Sequence, residues 1–402
     1  MKTNICLPLG LPEFLVLKQQ VQKDVIYLEV EAKEPPIHCV CCGFSNLKRH
    51  DQRIRKVRDL DILDKTLYLF IHVKRWRCHD CIEVFSEPLC SVPAGKHQTY
   101  RFRKKVFEMC VGTTISYVSR KLKVSYKTVE RIYYDLAKEE VNDSTSSGVI
   151  GIDEVAVRKG HSYETVITDI HTGTVHEMGA NRDYDSTIRL FESFKENPPS
   201  VVVMDMWKPF FKACRAMLPD ASIVIDKYHV VQKVNLALDA VRKTKSKELK
   251  RLKKGRFCLL KRRFRLTEKQ FERLDNYHLE SDELAYAYYL KEWFYDFYEQ
   301  SNYEAAALFL DQWILEAKRS PFSSFHEVCK TLETWKTHIL TYFELPYTNA
   351  KTEGTNHKIK NRKRISYGFR NMENFRIRVK LECSKSQSST SSSPVHIVDD
   401  VA

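Results

Sequence analysis

Two Cys-x-x-Cys pairs constrain this chain more than any other feature: Cys39/Cys42 in "HCVCCGF" and Cys78/Cys81 in "RWRCHDCIEVF". Each pair sets two thiols across one tight turn, and Gly43 permits the turn after the first. Four thiolates brought together close a tetrahedral zinc site with no open position for water, so the expected Zn²⁺ is structural. The pairs stand 35 residues apart, more than is usual for such sites, and the alternating "TLYLFIHVKRW" suggests a hairpin filling the interval. Cys41 is a rival ligand, and a chance set of buried thiols is the alternative to a metal. A secreted disulfide framework would be short and evenly dense in cysteine. Here five of the twelve cysteines cluster and the others are scattered singly among apolar residues.

The chain has 402 residues, enough for two to four domains, and a globular balance of 43% hydrophobic and 29% charged residues. Its formal charge of +14 favours a polyanionic partner, although charge alone predicts only salt-sensitive, sequence-independent attraction. No apolar run approaches the roughly 18 residues that would span a bilayer. The opening "MKTNICLPLGLPEFLVLKQQ" is broken by Pro8, Pro12 and Glu13 and reads poorly as a signal peptide. A cytoplasmic protein with no membrane partner is expected.

Beyond the cysteine segment the sequence reads as multidomain α+β. Residues 1–36 form an N-terminal segment, 37–90 the zinc knuckle, and 97–141 a helical domain. In the last, Ile115, Val118 and Leu122 repeat at helical spacing, as do Val129, Ile132, Tyr133 and Leu136. Between these runs "KVSYKT" supplies a turn and a cap at Ser125. That rhythm predicts a helix-turn-helix offering Ser125, Tyr126, Lys127, Thr128 and Arg131 to double-stranded DNA, though an ordinary helical hairpin has the same periodicity. After the linker "NDSTSSG" come three short β-rich runs, a helix, the buried strand "SVVVMDM", a second helix, and "SIVIDKYHVV". The order β-β-β-α-β-α-β is that of an RNase H-like α/β core. It occupies 149–234 and 346–382, interrupted by an all-α insertion at 235–345. The Ser-rich tail, 383–402, is expected to be disordered.

Asp153 and Asp205 each follow a buried strand, and in the expected sheet these strands are neighbours. Glu353 lies about one turn into a helix that Thr348 or Asn349 can cap, with Asn356 and Lys360 on its face. It is a lone acid in "TNAKTEGTNHKIKNRKR". Three converging carboxylates repel unless cations intervene. Mg²⁺ (or Mn²⁺) fits, and two such ions can stabilise the attacking and leaving oxygens of a displacement at phosphorus. Lys351, Lys358, Lys360, Arg362, Lys363 and Arg364 would then steady the DNA backbone. An Asp at a strand end also caps or solvates, and Glu154 rivals Asp153, but only one of that pair can face the site because successive strand residues alternate.

The stretches "GIDEVAVRKGHSYETVITDI", "VVVMDMWKPF", "IVIDKYHVVQKVN" and "TNAKTEGTNHKIKNRKRISYGFRNMENFRIR", behind "CVCCG…RWRCHDC", resemble the D-D-E transposases of bacterial insertion sequences, specifically the ISL-three family. The resemblance runs from about residue 37 to 380. It implies Asp153, Asp205 and Glu353 as the catalytic, metal-holding triad of a DNA transposase. It further implies binding of terminal inverted repeats, metal-activated cleavage, and transfer of the freed 3′-hydroxyl to target DNA, in a dimer or larger complex on the bacterial nucleoid, with no small-molecule substrate. It also picks out Asp226 and His229; the histidine would contact the scissile phosphate or orient a water, unless it simply bonds a strand carbonyl. Trp293, Trp313 and Trp335 either stack on a displaced base or fill a helical core. A non-catalytic DNA-binding regulator and a simple RNase H-like nuclease are the alternatives.

Overall fold

The computed structural model describes residues 9–141, 146–158 and 162–384, which fall into two compact units divided between Glu140 and Val141. All but the first two residues of the Ser-rich tail lie outside the described residues, as does most of the linker.

The first unit is built on strands β1 (Phe14–Val21), β2 (Val25–Ala32), β3 (Leu47–Ile62), β4 (Lys65–Cys78) and β5 (Val84–Ser86). The sheet order is β1-β2-β4-β3, with β5 also on β4. The hairpin between the cysteine pairs is β3–β4. Strands β1 and β2 arise in the N-terminal stretch for which the sequence suggested no element. Along β4 the residues Leu67, Leu69, Ile71 and Val73 turn inward, as period-two alternation requires. Helices α1 (Tyr100–Cys110), α2 (Ile115–Leu122) and α3 (Tyr126–Glu140) follow. Phe102, Val106, Val118, Val129, Ile132 and Tyr133 are buried in this unit. Asp135 of α3 is held by Lys96 and Arg103, each at 3.2 Å.

The second unit opens with the meander β6 (Val149–Arg158), β7 (Ser162–Asp169) and β8 (Val175–Ala180). It continues through α4 (Tyr184–Phe191), β9 (Val201–Met204), α5 (Lys208–Met217) and β10 (Ser222–Ile225). Strand order β10-β9-β6-β7-β8, with β6, β9 and β10 mutually parallel, is that of an RNase H-like core. Six helices come next: α6 (Lys227–Lys245), α7 (Arg256–Leu260), α8 (Glu268–Glu280), α9 (Asp282–Tyr295), α10 (Tyr303–Arg319) and α11 (Ser323–Leu340). They share one hydrophobic core with one face of the sheet, in which Ile150, Ile152, Phe191, Val202, Leu290, Trp313 and Leu332 all take part. The insertion is therefore an extension of the sheet's own core. Trp313 and Trp335 are buried in it, and Trp293 packs half-buried against Phe309, so these three rings are packing residues.

The opposite face is covered by α12 (Ala350–Ile365) and α13 (Met372–Ser384). Helix α13 is clamped to the meander by Arg376–Glu164 and Lys380–Glu177 ion pairs at 2.7 and 2.8 Å. Among the described residues no helix is long and apolar enough to cross a membrane.

Candidate active site and metal centres

Cys39, Cys42, Cys78 and Cys81 converge, with all four sulfurs within 4.8 Å of one another. The Cys39–Cys81 and Cys42–Cys78 separations are 3.7 and 3.6 Å. A tetrahedron with Zn–S bonds of about 2.3 Å has edges near 3.8 Å, so the cluster fits Zn²⁺. Cys41 is exposed and outside the group. The two knuckles share a design: Cys39 N–H bonds Phe44 O, and Cys78 N–H bonds Glu83 O. The residue after each second cysteine is left-handed, Gly43 at φ 78° and Ile82 at φ 64°. Burial would raise the Cys39 thiol, but the backbone N–H groups of Cys42 and Cys41 and the Cys81 sulfur outweigh it and hold the thiol at about 6. At Cys81 the Glu83 N–H pulls down, while burial and the other three sulfurs push the thiol up to about 12. The four sulfurs thus oppose one another's ionisation, a repulsion that a bound cation would relieve.

In the second unit the sheet register builds a different cluster. Val149, Ile150 and Gly151 pair with Val201, Val202 and Val203, and Ser222 through Ile225 pair with Val201 through Met204. Continuing these registers sets Asp153, Asp205 and Asp226 at one level; Asp205 and Asp226 directly follow β9 and β10, whereas Asp153 lies within β6, which runs on to Arg158 paired with β7 and does not end before Asp153 as the sequence suggested. Alternation puts all three on the α12 side, with Gly151, Val203 and Val224. Glu154, on the other face, makes two hydrogen bonds to Arg182 at 2.6 and 2.8 Å.

Helix α12 brings Glu353 to this edge through a polar underside. Asn349, Thr352, Thr355 and Asn356 are buried. Asn349 begins the helix but makes no side-chain cap; its amide donates instead to Ile152 O at 3.1 Å, while its N–H donates to Asp226 at 3.2 Å. Thr355 donates to Gly173 O at 3.0 Å and Asn356 to Asp153 Oδ2 at 2.7 Å. The close approach depends on Gly151: a Cβ there would meet Asn349 Oδ1 at 2.3 Å and Thr352 Oγ1 at 2.4 Å.

Charge couples the cluster. Burial, then the neighbouring Asp205, pushes Asp153 up to about 7. Burial also raises Asp226, with Asp205 and Glu353 adding to the effect, and its Oδ2 is a buried atom without a hydrogen-bond partner. Burial would lower His229, but the Asp205 carboxylate at 2.9 Å, with Asp226 and Asp153, raises it. The histidine thus answers a carboxylate, not a strand carbonyl. Asp205, Asp226 and His229 offer ligand atoms within 4.8 Å of one another; Asp153 and Glu353 are not in that group, and their charges act on it, Asp153 on His229 and Glu353 on Asp226. By contrast Asp169, also at a strand end, is an ordinary turn residue. Burial opposes its ionisation, but donors from Ser147 and Thr172 hold it down at about 2.

Of the residues expected to meet DNA, Ser125, Tyr126, Lys127 and Arg131 are exposed along one end of α3, and Thr128 is half-buried. Lys358, Lys360 and Arg364 are exposed and Lys363 half-exposed on α12. Arg362 differs: it pairs with the buried Glu382 at 3.0 Å, which Arg378 also holds.

Comparison with known proteins follows this division. A family model described as a transposase, that of the ISL3 family, matches residues 150–379. The zinc-finger of transposases IS204/IS1001/IS1096/IS1165 matches 35–81, and the helix-turn-helix domain of transposase family ISL3 matches 87–137. The transposase for insertion sequence element IS1001 of Bordetella parapertussis is 27% identical over 376 residues, covering 88% of this chain and 90% of that protein. The transposase for element IS1557 of Mycobacterium tuberculosis (strain H37Rv) is 24% identical over 351 residues, covering 74% and 79%. With a zinc finger, a DNA-binding helix-turn-helix and a transposase domain in that order, the chain belongs to the ISL3 family of transposases.

Proposed function

We propose that this transposase cuts the ends of its insertion sequence and joins them to target DNA at a single site, where Asp153, Asp205 and Glu353 hold two Mg²⁺ or Mn²⁺ ions. The observation that carries the reading is the register that sets Asp153, within β6, level with Asp205 and Asp226, which directly follow β9 and β10, while the charge on Glu353 of α12 acts on Asp226. The suppressed ionisation of Asp153 and the unpartnered Asp226 Oδ2 fit a centre that expects divalent cations. Bound ions would neutralise phosphate oxygens and ease ionisation of the attacking oxygen.

The chain's own side chains supply orientation. Asn356 fixes the Asp153 carboxylate, Asn349 ties α12 to the middle of β6, and Arg182 draws Glu154 away from the site. His229, whose protonated form the neighbouring Asp205 favours, would steady a phosphate. In each step one P–O bond forms as another breaks, first with water as nucleophile and then with the freed 3′-hydroxyl, and the leaving oxygen takes a proton. Terminal inverted repeats would be read by Ser125, Tyr126, Lys127, Thr128 and Arg131, while Lys358, Lys360, Lys363 and Arg364 hold backbone phosphates near the site. Arg362 instead secures α12 to α13. The division into 37–90, 97–141, 149–234, 235–345 and 346–382 belongs to the same reading, as does a working complex of at least two copies on the bacterial nucleoid.

Glu353→Gln tests it. With Mg²⁺ and DNA taken from beside the gene, this variant should lose nicking by about a hundredfold to a thousandfold, the scale on which removing a key charge-stabilising group acts. Retention of that DNA should stay nearly unchanged. Parallel loss of both activities would defeat the assignment. In the wild type, products joined to a target plasmid support transfer, whereas fragments alone would mean a nuclease.

A further inference from the structure

In the first unit a cleft of about 380 Å³ lies between the β3–β4 hairpin and the turn that opens α3. Lys56, Arg58 and Lys123 line it with His97, and no carboxylate is among its described lining residues. Ser125 and Thr128, at the start of α3, add two hydroxyls. The polar lining is only partly satisfied internally: Ser125 and Thr128 share a hydrogen bond at 2.9 Å and His97 meets Lys56 O at 3.2 Å, but two buried groups are left over. Arg58 is buried and gives its terminal nitrogens to Asp61 and to the carbonyls of Asp59 and Leu67, yet its Nε has no hydrogen-bond partner. Buried Gln98, on the same wall, has an unpartnered side-chain oxygen; turning its amide over would present N–H instead. Lys56 sits over the Tyr68 ring at 4.1 Å, a contact that holds its ammonium at the cleft.

Cations, hydroxyls, spare N–H donors and the N-terminus of a 15-residue helix make a setting for an anion with several acceptor oxygens. Lysines along β3 have a duller use, since charge on an edge strand blocks pairing with other chains. That use does not require a carboxylate-free cleft facing a helix start. We propose that the cleft holds a phosphate of the DNA backbone beside the major groove that α3 enters, so that the sheet anchors the duplex while α3 reads it. The proposal rests on α3 being the recognition helix and assigns the sheet a sequence-independent share of binding.

The test uses the full chain, with fluorescence anisotropy over a salt series. The probes are a labelled duplex copied from the DNA beside the gene and an unrelated duplex of equal length. Lys56→Ala and Lys123→Asn alter exposed side chains, and asparagine tolerates the left-handed backbone of Lys123, φ 53°. Each should weaken binding of both duplexes several-fold and flatten the slope of log K against log salt by about 0.9, with Lys56→Arg restoring it. Arg131→Ala reports on α3 separately and should erase the preference for the flanking duplex. If Arg131→Ala does so while the cleft variants keep the wild-type slope, the cleft proposal is overturned and the recognition helix stands. A fall in affinity at unchanged slope overturns it equally. Preference surviving Arg131→Ala would remove the recognition-helix premise.

Discussion

The thiol cluster and the carboxylate cluster solve opposite problems. All four sulfurs come from two six-residue knuckles at the ends of one hairpin and lie within 4.8 Å of one another. The carboxylates come from β6, the residues just after β9 and β10, and α12, and among the described residues only Asp205, Asp226 and His229 are comparably close. A closed set saturates its ion and leaves nothing for a substrate; a looser one leaves room for phosphate oxygens. Local turn geometry is enough to build the first. The second exists only once a whole sheet has formed in register and a helix nearly 200 residues away in sequence has docked on it.

The largest effect should follow from breaking the closed set. Cys78→Ser removes a fully buried ligand, and structural zinc contributes about 10–16 kcal/mol to the folding of small zinc domains. Metal analysis should show loss of the zinc, and hydrogen exchange should show loss of protection across β3 and β4 while β6, β9 and β10 keep theirs. Full protection of β3 and β4 without zinc would refute the four-thiolate site.

The same contrast explains what could be read from sequence. Cysteine spacing encodes a local turn, so the knuckles were legible. So were the core strands, because Val/Ile runs ending in Asp are continuous in the chain, and their β-β-β-α-β-α-β order prescribes which become neighbours. The underside of α12 was legible only in part: Asn356 was placed on the face of Glu353 and Asn349 at the helix start, but not their burial. Asn349, Thr352, Thr355 and Asn356 repeat at helical spacing but are polar, and polar repeats signal a solvated face unless the buried partners are known. Gly151 carried no signal either, since its role is to clear space for a helix that arrives much later. Arg362 looked like its basic neighbours until the fold set Glu382 beside it. Strands β1 and β2 escaped because β1 is largely exposed and lacks a clear alternation.

The second test concerns the open cluster. Without divalent ions Asp153 titrates near 7 in the folded chain, against about 3.9 unfolded. A raised folded value means its stabilising contribution is full below about pH 4 and is lost as pH rises through 7. The ion-free protein should therefore lose up to about 4 kcal/mol between those limits, read as a falling Tm. Asp153→Asn should flatten that loss, and adding Mn²⁺ above pH 7 should raise the Tm of the wild type far more than that of the variant. A wild-type Tm indifferent to pH and Mn²⁺ alike would break the contrast between the two clusters.

The smallest effect separates the two knuckles themselves. Gly43 meets its left-handed backbone without strain, but Ile82, at φ 64° and largely exposed, is β-branched and pays about 1–2 kcal/mol for the same geometry. Glycine there would remove that strain and add about 0.5–1 kcal/mol of unfolded-chain entropy. Ile82→Gly should therefore stabilise the zinc-loaded first unit by about 0.5–1 kcal/mol, visible as a raised denaturation midpoint and slower zinc release to a chelator. Because the closed set is made by local turns, relief of strain in one turn should be felt there alone. Mn²⁺ binding at the carboxylates should not change, since none of the elements that hold them includes this turn.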